Sequence, residues 1–416
     1  MYSLLPNSFT RNRKLPFAKV VLFMMSLVKK SLQIELHTFM QRASKQHKSI
    51  SNSAFNQARM KINPALFKHF ISSMNKEFYS DNDERVILWN GFRLLSCDGS
   101  TITLPLTEEL KKKYGFTVNQ YKSDVLIART SLLYDLENEM ILDGVLSPFS
   151  TGERELALTQ IKRLEKSGYK ELLLLDRGYP SYDIIYQLNK LSVHYVMRVK
   201  VSFSRVIKDF VESGLMEIKT QIEPGKNAKL LNKLYKKNKP IEVRLIKVVL
   251  ENGEIELLMT SLIDEKNIPV SVFKELYFKR WGIETLYDKL KNKLLIEQFT
   301  GYSETSILQD YYCTLFLSNI QSLLTSEANE KREQINTKQR KYEYKINTNL
   351  SIGFIKTKLV ELFLEENNEE KILIELEKLF VKNVIPIRPK RSFERNTSKY
   401  RNRKKPPLTK NFKHAF

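Results

Sequence analysis

Two periodicities divide the chain. Residues 1 to about 85 carry apolar positions at helical spacing and few strand-like alternations, which predicts a helical region. Within it, Lys48–Ile62 reads as a capped helix, started by Ser51 or Ser53 and carrying Phe55, Arg59 and Lys61. Asn63-Pro64 breaks this helix ahead of another through Phe67 and Phe70, a pair with the outline of a helix-turn-helix. From about residue 86 the period shortens to two. Phe92–Asp98, Ala128–Tyr134 and Met140–Leu146 predict three strands, the last two joined by the turn-prone Asp135–Asn138. Glu153–Ser167 predicts an amphipathic helix, with Leu156, Ile161 and Leu164 among its apolar positions. Glu171–Asp176 is a continuous apolar run of the kind found in a strand covered on both faces. Pro180-Ser181 opens a helix through Leu188, and Val193–Val199 returns to strand. Strands and helices in this order predict a mixed α/β sheet.

Residues 201–265 interrupt that pattern. They hold a Lys-rich stretch, Lys226 to Lys239, and then two strand-like runs, Ile241–Leu250 and Ile255–Thr260, read as a β-rich basic insertion. Beyond Glu304 the pattern is helical to about residue 380, a possible dimerisation region.

Charge narrows the partners. Lys and Arg number 69 against 47 Asp and Glu, a net charge of +22, which favours a polyanion and above all nucleic acid. The first 85 residues carry 14 basic against five acidic side chains. The tail from Arg388 to Lys413 carries 11 against one and reads as disordered without an anionic partner. Two cysteines and five scattered histidines offer no disulfide framework and no zinc spacing, in keeping with a reducing, cytoplasmic setting. The apolar run Val20–Val28 follows basic residues as a signal peptide does. It is too short to span a bilayer and lacks a small-residue cleavage site, so it reads as a buried helix. No membrane partner is expected.

The densest chemistry lies in Tyr277–Lys291. At about 100° per residue, Tyr277, Arg280, Glu284 and Lys291 share an arc of roughly 60° on an α-helix. One reading is a solvated face of i,i+3 and i,i+4 ion pairs. The other is a site that holds a metal beside a phosphate: the carboxylate for the metal, the cations for phosphate oxygens, the phenol for a hydrogen bond or a base stack. Two further acids end apolar runs, where an unpaired charge is costly to bury. Asp98 precedes Gly99-Ser-Thr101, and Asp176 precedes Arg177-Gly-Tyr179. Taken singly, Asp98-Gly99 also reads as a turn and Asp176-Arg177-Gly178 as a capping loop. In a sheet of the predicted order the first and fourth strands are neighbours, so the two acids sit close together and a crossing helix adds Glu284. Three such carboxylates would hold two divalent ions, Mg²⁺ or Mn²⁺ in preference to zinc. Asp288 shares the Glu284 face and competes for the third place. Arg177 reads either as a phosphate contact or as a surface ion pair.

These residues resemble the insertion-sequence DDE transposases of the bacterial cut-and-paste type. The resemblance rests on Asp98-Gly-Ser-Thr101, on Asp176-Arg-Gly-Tyr179, and on the spacing Tyr277-(2)-Arg280-(3)-Glu284-(6)-Lys291. It extends to the β insertion and to Ser53–Ile62. It implies a ribonuclease H-like catalytic core of residues 86–200 and 266–304, with the insertion at 201–265. Around that core stand a DNA-binding region at 1–85, a helical region at 305–380 and a basic tail at 381–416. It implies Asp98, Asp176 and Glu284 as ligands of two Mg²⁺ or Mn²⁺ ions, favours Glu284 over Asp288, and places Tyr277, Arg280 and Lys291 on DNA phosphates. The partners implied are double-stranded DNA, as terminal inverted repeats and target, and a second copy of the chain on that DNA, in the bacterial cytoplasm at the nucleoid. Some members stack a flipped base on a tryptophan of the insertion. Here the only tryptophans are Trp89 and Trp281, outside it, leaving Phe203 or Tyr235 as substitutes. A catalytically silent DNA-binding derivative and a metal-dependent nuclease of the same fold are the alternatives.

Overall fold

In the computed structural model, residues 4, 8–10, 14–26, 28–43, 49–80, 85–118, 124–164, 167–223, 240–335, 342–364 and 368–388 are described. The Lys-rich part of the insertion, Tyr235 and nearly all of the basic tail lie outside these residues. The chain divides into two compact units. One comprises Met1–Ile71, Thr101–Ala128 and Asp288–Phe416, and the other Ser72–Ser100 and Arg129–Tyr287.

The second unit is built on an eight-stranded sheet. In chain order its strands are β1 (Phe92–Thr103), β2 (Ile127–Asp135), β3 (Met140–Pro148), β4 (Lys170–Leu175), β5 (His194–Arg198), β6 (Glu217–Ile222), β7 (Ile241–Val249) and β8 (Ile255–Thr260). Across the sheet they run β3-β2-β1-β4-β5-β8-β7-β6. β4 pairs parallel to both β1 and β5, and the insertion strands join antiparallel through β8 on β5. The insertion is thus an extension of the same sheet. As the strand pattern predicts, the first and fourth strands are neighbours.

Alternation assigns the two faces. Leu95, Cys97, Leu173, Leu175, Tyr195 and Met197 point to one face, where Ala157, Ile161, Ile184 and Leu188 pack on them. These last four come from the helices Glu153–Arg163 and Tyr182–Lys190. Leu94, Leu172, Leu174, Val196 and Leu258 point to the other, under Phe273, Leu276 and Tyr277 of the helix Phe273–Phe278. Strands covered on both sides need apolar residues at every position, which is why Glu171–Asp176 reads as a near-unbroken apolar run. Where charges enter this core they are paired. Arg93 donates to Glu171 across the β1–β4 register at 2.9 and 2.7 Å. The β2–β3 turn is closed by Asp135, whose carboxylate accepts from the Glu137 and Asn138 amides and from the Tyr79 hydroxyl.

The other unit is mainly helical. Phe17–Met25 is a helix with six consecutive buried residues from Val20 to Met25, and Asn52–Arg59 is capped by Ser51, whose hydroxyl accepts from the Ala54 amide. Ala65–Ser80 begins after the break at Pro64, with the Asn63 side chain accepting from the Ala65 amide at 3.0 Å. Its last turns lie in the sheet-bearing unit. Glu304–Ile335 is a helix of 32 residues, followed by Thr348–Leu364 and Glu369–Lys382. Among the described residues no helix is long and apolar enough to cross a membrane.

Candidate active site

The β1–β4 register decides where the two aspartates fall. Ser96 pairs with Leu174, and the same offset carried two residues further sets Asp98 level with Asp176. Neighbouring strands lie about 4.8 Å apart, so Asp98, within β1, and Asp176, one residue past the end of β4, stand side by side. By alternation both leave the sheet on the face of Leu94, Leu172 and Leu174, the face that carries the helix Phe273–Phe278.

The segment from Phe273 is not one regular α-helix. An α turn to Phe278 tightens to a 3₁₀ turn at Lys279–Trp281, resumes as α over Gly282–Asp288 and widens to a π turn at Lys289–Lys293. The 100° step therefore holds only piecewise along this segment. Gly282 has a steric reason to be glycine: a Cβ there would stand 2.9 Å from Leu136 Cδ2. Its absence lets the helix approach the β2–β3 turn and sets the depth of Glu284.

Arg280 is the electrostatic centre of the group. It is buried, 6% exposed, and donates to Glu284 Oε1 at 3.2 Å. Burial works against its charge, but Tyr277, Asp176 and Glu284 outweigh burial and raise its pKa. Asp98 faces the opposite balance. Burial pushes its carboxyl up to about 6, against lowering by the Gly99 amide, the Arg280 charge and the Tyr179 hydroxyl. One guanidinium thus interacts with all three acids. Tyr277 donates to the Leu175 carbonyl at 3.3 Å and, at a long 3.5 Å, to Asp176 Oδ1.

Asp98, Asp176, Tyr277, Arg280 and Glu284 all belong to the sheet-bearing unit. Arg177 is in that unit too and is exposed. Lys291 and the competitor Asp288 belong to the other unit; Asp288 is exposed and accepts from Asn292 at 2.7 Å. Phe203 is committed to a stack on Tyr182, with centroids 5.3 Å apart.

Several contributors escape a reading of the sequence. Tyr179, two residues past Arg177, donates to Asp98 Oδ1 at 3.2 Å. Tyr287 donates to the Asp98 carbonyl at 2.8 Å. Its i+3 spacing from Glu284 is the signal that would have found it. Glu153 lies over Gly99, where a Cβ would come 2.9 Å from its Cγ, and pairs with Arg129. Arg154 donates to the Gly178 carbonyl at 2.6 Å, so the start of the helix Glu153–Arg163 touches both aspartate turns.

The donor set fits a hard divalent cation. It offers carboxylate oxygens only, with Asp98 level with Asp176, and a half-buried Asp98 whose ionisation is favoured by positive charge nearby. Among the described residues no three of His, Cys, Asp or Glu already stand close enough to hold a metal. Glu284 instead faces Arg280.

A mixed sheet in this strand order, with helices on both faces, is the ribonuclease H-like core expected from the sequence. Residues 89–320, more than half of the chain, match the family of transposase DDE domains, and the chain belongs to that family. It is a metal-dependent, DNA-cleaving and strand-transferring enzyme of DNA transposition. The transposase assigned to insertion sequence element IS4SA of Synechocystis sp. is 24% identical over 305 residues, 71% of this chain and 79% of that protein. The transposase for insertion sequence element IS1151 of Clostridium perfringens is 21% identical over 324 residues, 67% of this chain and 65% of that protein. Among solved structures, the piggyBac transposase in a synaptic complex with hairpin DNA aligns with 92% of this chain and 78% of its own. That alignment has 11% identity and a TM-score of 0.43.

Proposed function

We propose that Asp98, Asp176 and Glu284 are the catalytic carboxylates of this transposase and that they hold two divalent ions, Mg²⁺ or Mn²⁺. The carrying observation is the register that sets Asp98, within β1, level with Asp176, the residue that follows β4, with Arg280 interacting with both of them and with Glu284. When bound, the ions make a water or a 3′-hydroxyl nucleophilic at neutral pH and neutralise charge on the leaving oxygen. Water and hydroxyl play the same chemical role, so one site serves both cleavage and joining.

The chain's own residues supply positioning. Arg280 presents a protonated guanidinium whose Nε has no hydrogen-bond partner among the described residues, a donor suited to a phosphate oxygen. Glu284, now bonded to Arg280, would hold a cation with the two aspartates, which would leave the Arg280 guanidinium for DNA. Tyr277, Arg177 and Lys291 make further contacts to the transposon-end phosphates.

In this reading the enzyme binds the terminal inverted repeats of double-stranded DNA and pairs two ends as a homodimer. It then transfers the freed 3′-ends to target DNA in the bacterial cytoplasm at the nucleoid. The helical region of residues 305–380 supplies the dimer contacts. The basic region of residues 1–85 grips the ends, and the exposed Ser53 and Gln57 of the helix Asn52–Arg59 are side chains of the kind that read base edges. Affinity for DNA then falls steeply with salt.

The test is cleavage of labelled DNA that carries the element's own ends, in Mg²⁺, by the intact chain and by Glu284→Gln. Nicking at the repeat boundary should drop by at least about 10³-fold in the variant, the scale of several kcal/mol of lost charge stabilisation, with end binding retained. Cleavage that survives the substitution would remove Glu284 from the trio, and binding without cleavage by the intact chain would favour the silent derivative.

A further inference from the structure

Three tyrosines connect the three acid-bearing segments in a closed ring. Tyr179 joins the turn after Asp176 to the Asp98 carboxylate, at 3.2 Å. Tyr287 joins the Glu284 helix to the Asp98 backbone carbonyl, at 2.8 Å. Tyr277 joins the same helix to the end of β4, through the Leu175 carbonyl at 3.3 Å. Every pair of segments is thus bridged by one phenol. Tyr179 and Tyr287 are 2% and 7% exposed, and their bonds to the half-buried Asp98 are partly shielded from water.

The need for such a device follows from the rest of the site. Asp98 and Asp176 are set by strand register, whereas Glu284 rides on an irregular helical segment that hydrogen bonding within the sheet does not fix. Carboxylates brought together repel one another, and apolar packing of Phe273, Leu276 and Tyr277 on the sheet is non-directional, so it fixes the helix less sharply than a hydrogen bond does. The Asp98 carboxylate is already oriented by its own turn, with Oδ1 accepting from the Gly99 amide at 2.8 Å. Tyr179 adds a side-chain donor to that same oxygen, leaving Oδ2 for a cation. Tyr287, three residues beyond Glu284, ties the turn that carries Glu284 to the backbone of Asp98 itself.

We propose that Tyr179 and Tyr287 are positioning residues that set the spacing of the three carboxylates and thereby tune metal affinity, acting through Asp98 without touching DNA. The inference rests on the carboxylate assignment above. Neither tyrosine belongs to the Tyr277-(2)-Arg280-(3)-Glu284-(6)-Lys291 spacing; Tyr179 closes the Asp176-Arg-Gly-Tyr179 motif, but the role of each tyrosine is recognised from what its hydroxyl reaches. Partners of metal ligands typically change affinity by about 10- to 100-fold when removed.

The experiment titrates the full-length chain with Mn²⁺ by calorimetry, comparing it with Tyr179→Phe, Tyr287→Phe, Asp98→Asn and, as control, Tyr195→Phe. Tyr195 is buried in the same sheet, and its hydroxyl has no hydrogen-bond partner among the described residues, so it reports the loss of a phenol outside the site. Tyr179→Phe and Tyr287→Phe are each expected to weaken Mn²⁺ by about 10- to 100-fold, while Tyr195→Phe binds as the parent does. A second readout guards against simple loss of fold. In the two site variants the Mn²⁺ concentration giving half-maximal cleavage rises by the same factor, and saturating Mn²⁺ restores the rate, which a destabilised fold would not allow. Unchanged Mn²⁺ affinity in both Phe variants, with binding lost in Asp98→Asn, would overturn the positioning role and leave the carboxylate assignment standing. Equal Mn²⁺ binding by the parent and Asp98→Asn would overturn the assignment, and the positioning role with it.

Discussion

Two buried arginines, one in each compact unit, dispose of their charge in opposite ways. Arg59, fully buried, has its whole fork occupied. Nε donates to Gln309 at 2.8 Å, one terminal nitrogen donates to Thr300, and the other donates to the Ser306 carbonyl at 3.2 Å and to Asp310 at 2.8 Å. Gly301 completes the seat, since a Cβ there would collide with Ser306 at 2.6 Å. Arg280, 6% exposed, donates to Glu284 at 3.2 Å and lies 5.1 Å from the Trp281 ring centroid, while its Nε has no hydrogen-bond partner among the described residues. A saturated fork holds a fold together. An undersaturated one, beside three acids, has donor capacity left for a substrate. Burial alone does not separate the two roles; occupancy of the fork does.

The comparison breaks first at Arg59. Arg59→Ala leaves Asp310 charged and buried without its partner, a loss of about 3–5 kcal/mol for a broken buried pair. Urea denaturation of the full chain measures it, and a cost under about 1 kcal/mol would mean that the fork is not structural. Arg280→Met should do the reverse. Its pair with a third-exposed Glu284 contributes little to stability, within about 1 kcal/mol. With Arg280 in the proposed role of phosphate contact, its removal should slow cleavage roughly 100-fold. Equal losses of stability in the two variants would erase the distinction.

The smallest effect concerns pH. Burial raises the Asp310 carboxyl, but the Arg59 charge and the bonds from Thr300 outweigh it and hold the group below its ordinary value. A depressed folded pKa contributes stability that is fully present above the unfolded value, about 3.9. That stability is lost as pH falls through the lower folded value. The urea midpoint should therefore decline on acidification below about pH 5, and part of that decline should disappear in Asp310→Asn. A slope unchanged by Asp310→Asn would assign the acid sensitivity to other carboxylates.

Legibility followed the same division. The apolar run Leu172–Leu175 and the strand Phe92–Asp98 were readable because burial on two faces imposes its own pattern on a strand. Helix ends were readable where a side chain caps them, as at Ser51 and Ser181. The acids could be nominated because each ends an apolar run, where an unpaired charge has to have a use. Tyr287 was not nominated, and Tyr179 stood in the Asp176-Arg-Gly-Tyr179 motif without a role, because a buried tyrosine reads as core until the partner of its hydroxyl is known. The changes of winding at Lys279–Trp281 and Lys289–Lys293 were not readable for a different reason. Nothing in Lys289–Lys293 announces a π turn, and helical phase inferred at 100° per residue fails once the turn widens.

By itself the sequence determined the period of each segment, the basic balance and the three motifs, since these are properties of residue identity and spacing along one chain. Register, fork occupancy and hydroxyl partners were decided by tertiary structure. Whether Asp98 stands level with Asp176 depends on how two strands far apart in the chain slide against each other. Whether an arginine is saturated depends on which carbonyls and carboxylates the fold delivers to it. Hydrogen bonds act over about 3 Å and carry no trace along the chain; only the folded arrangement sets those distances.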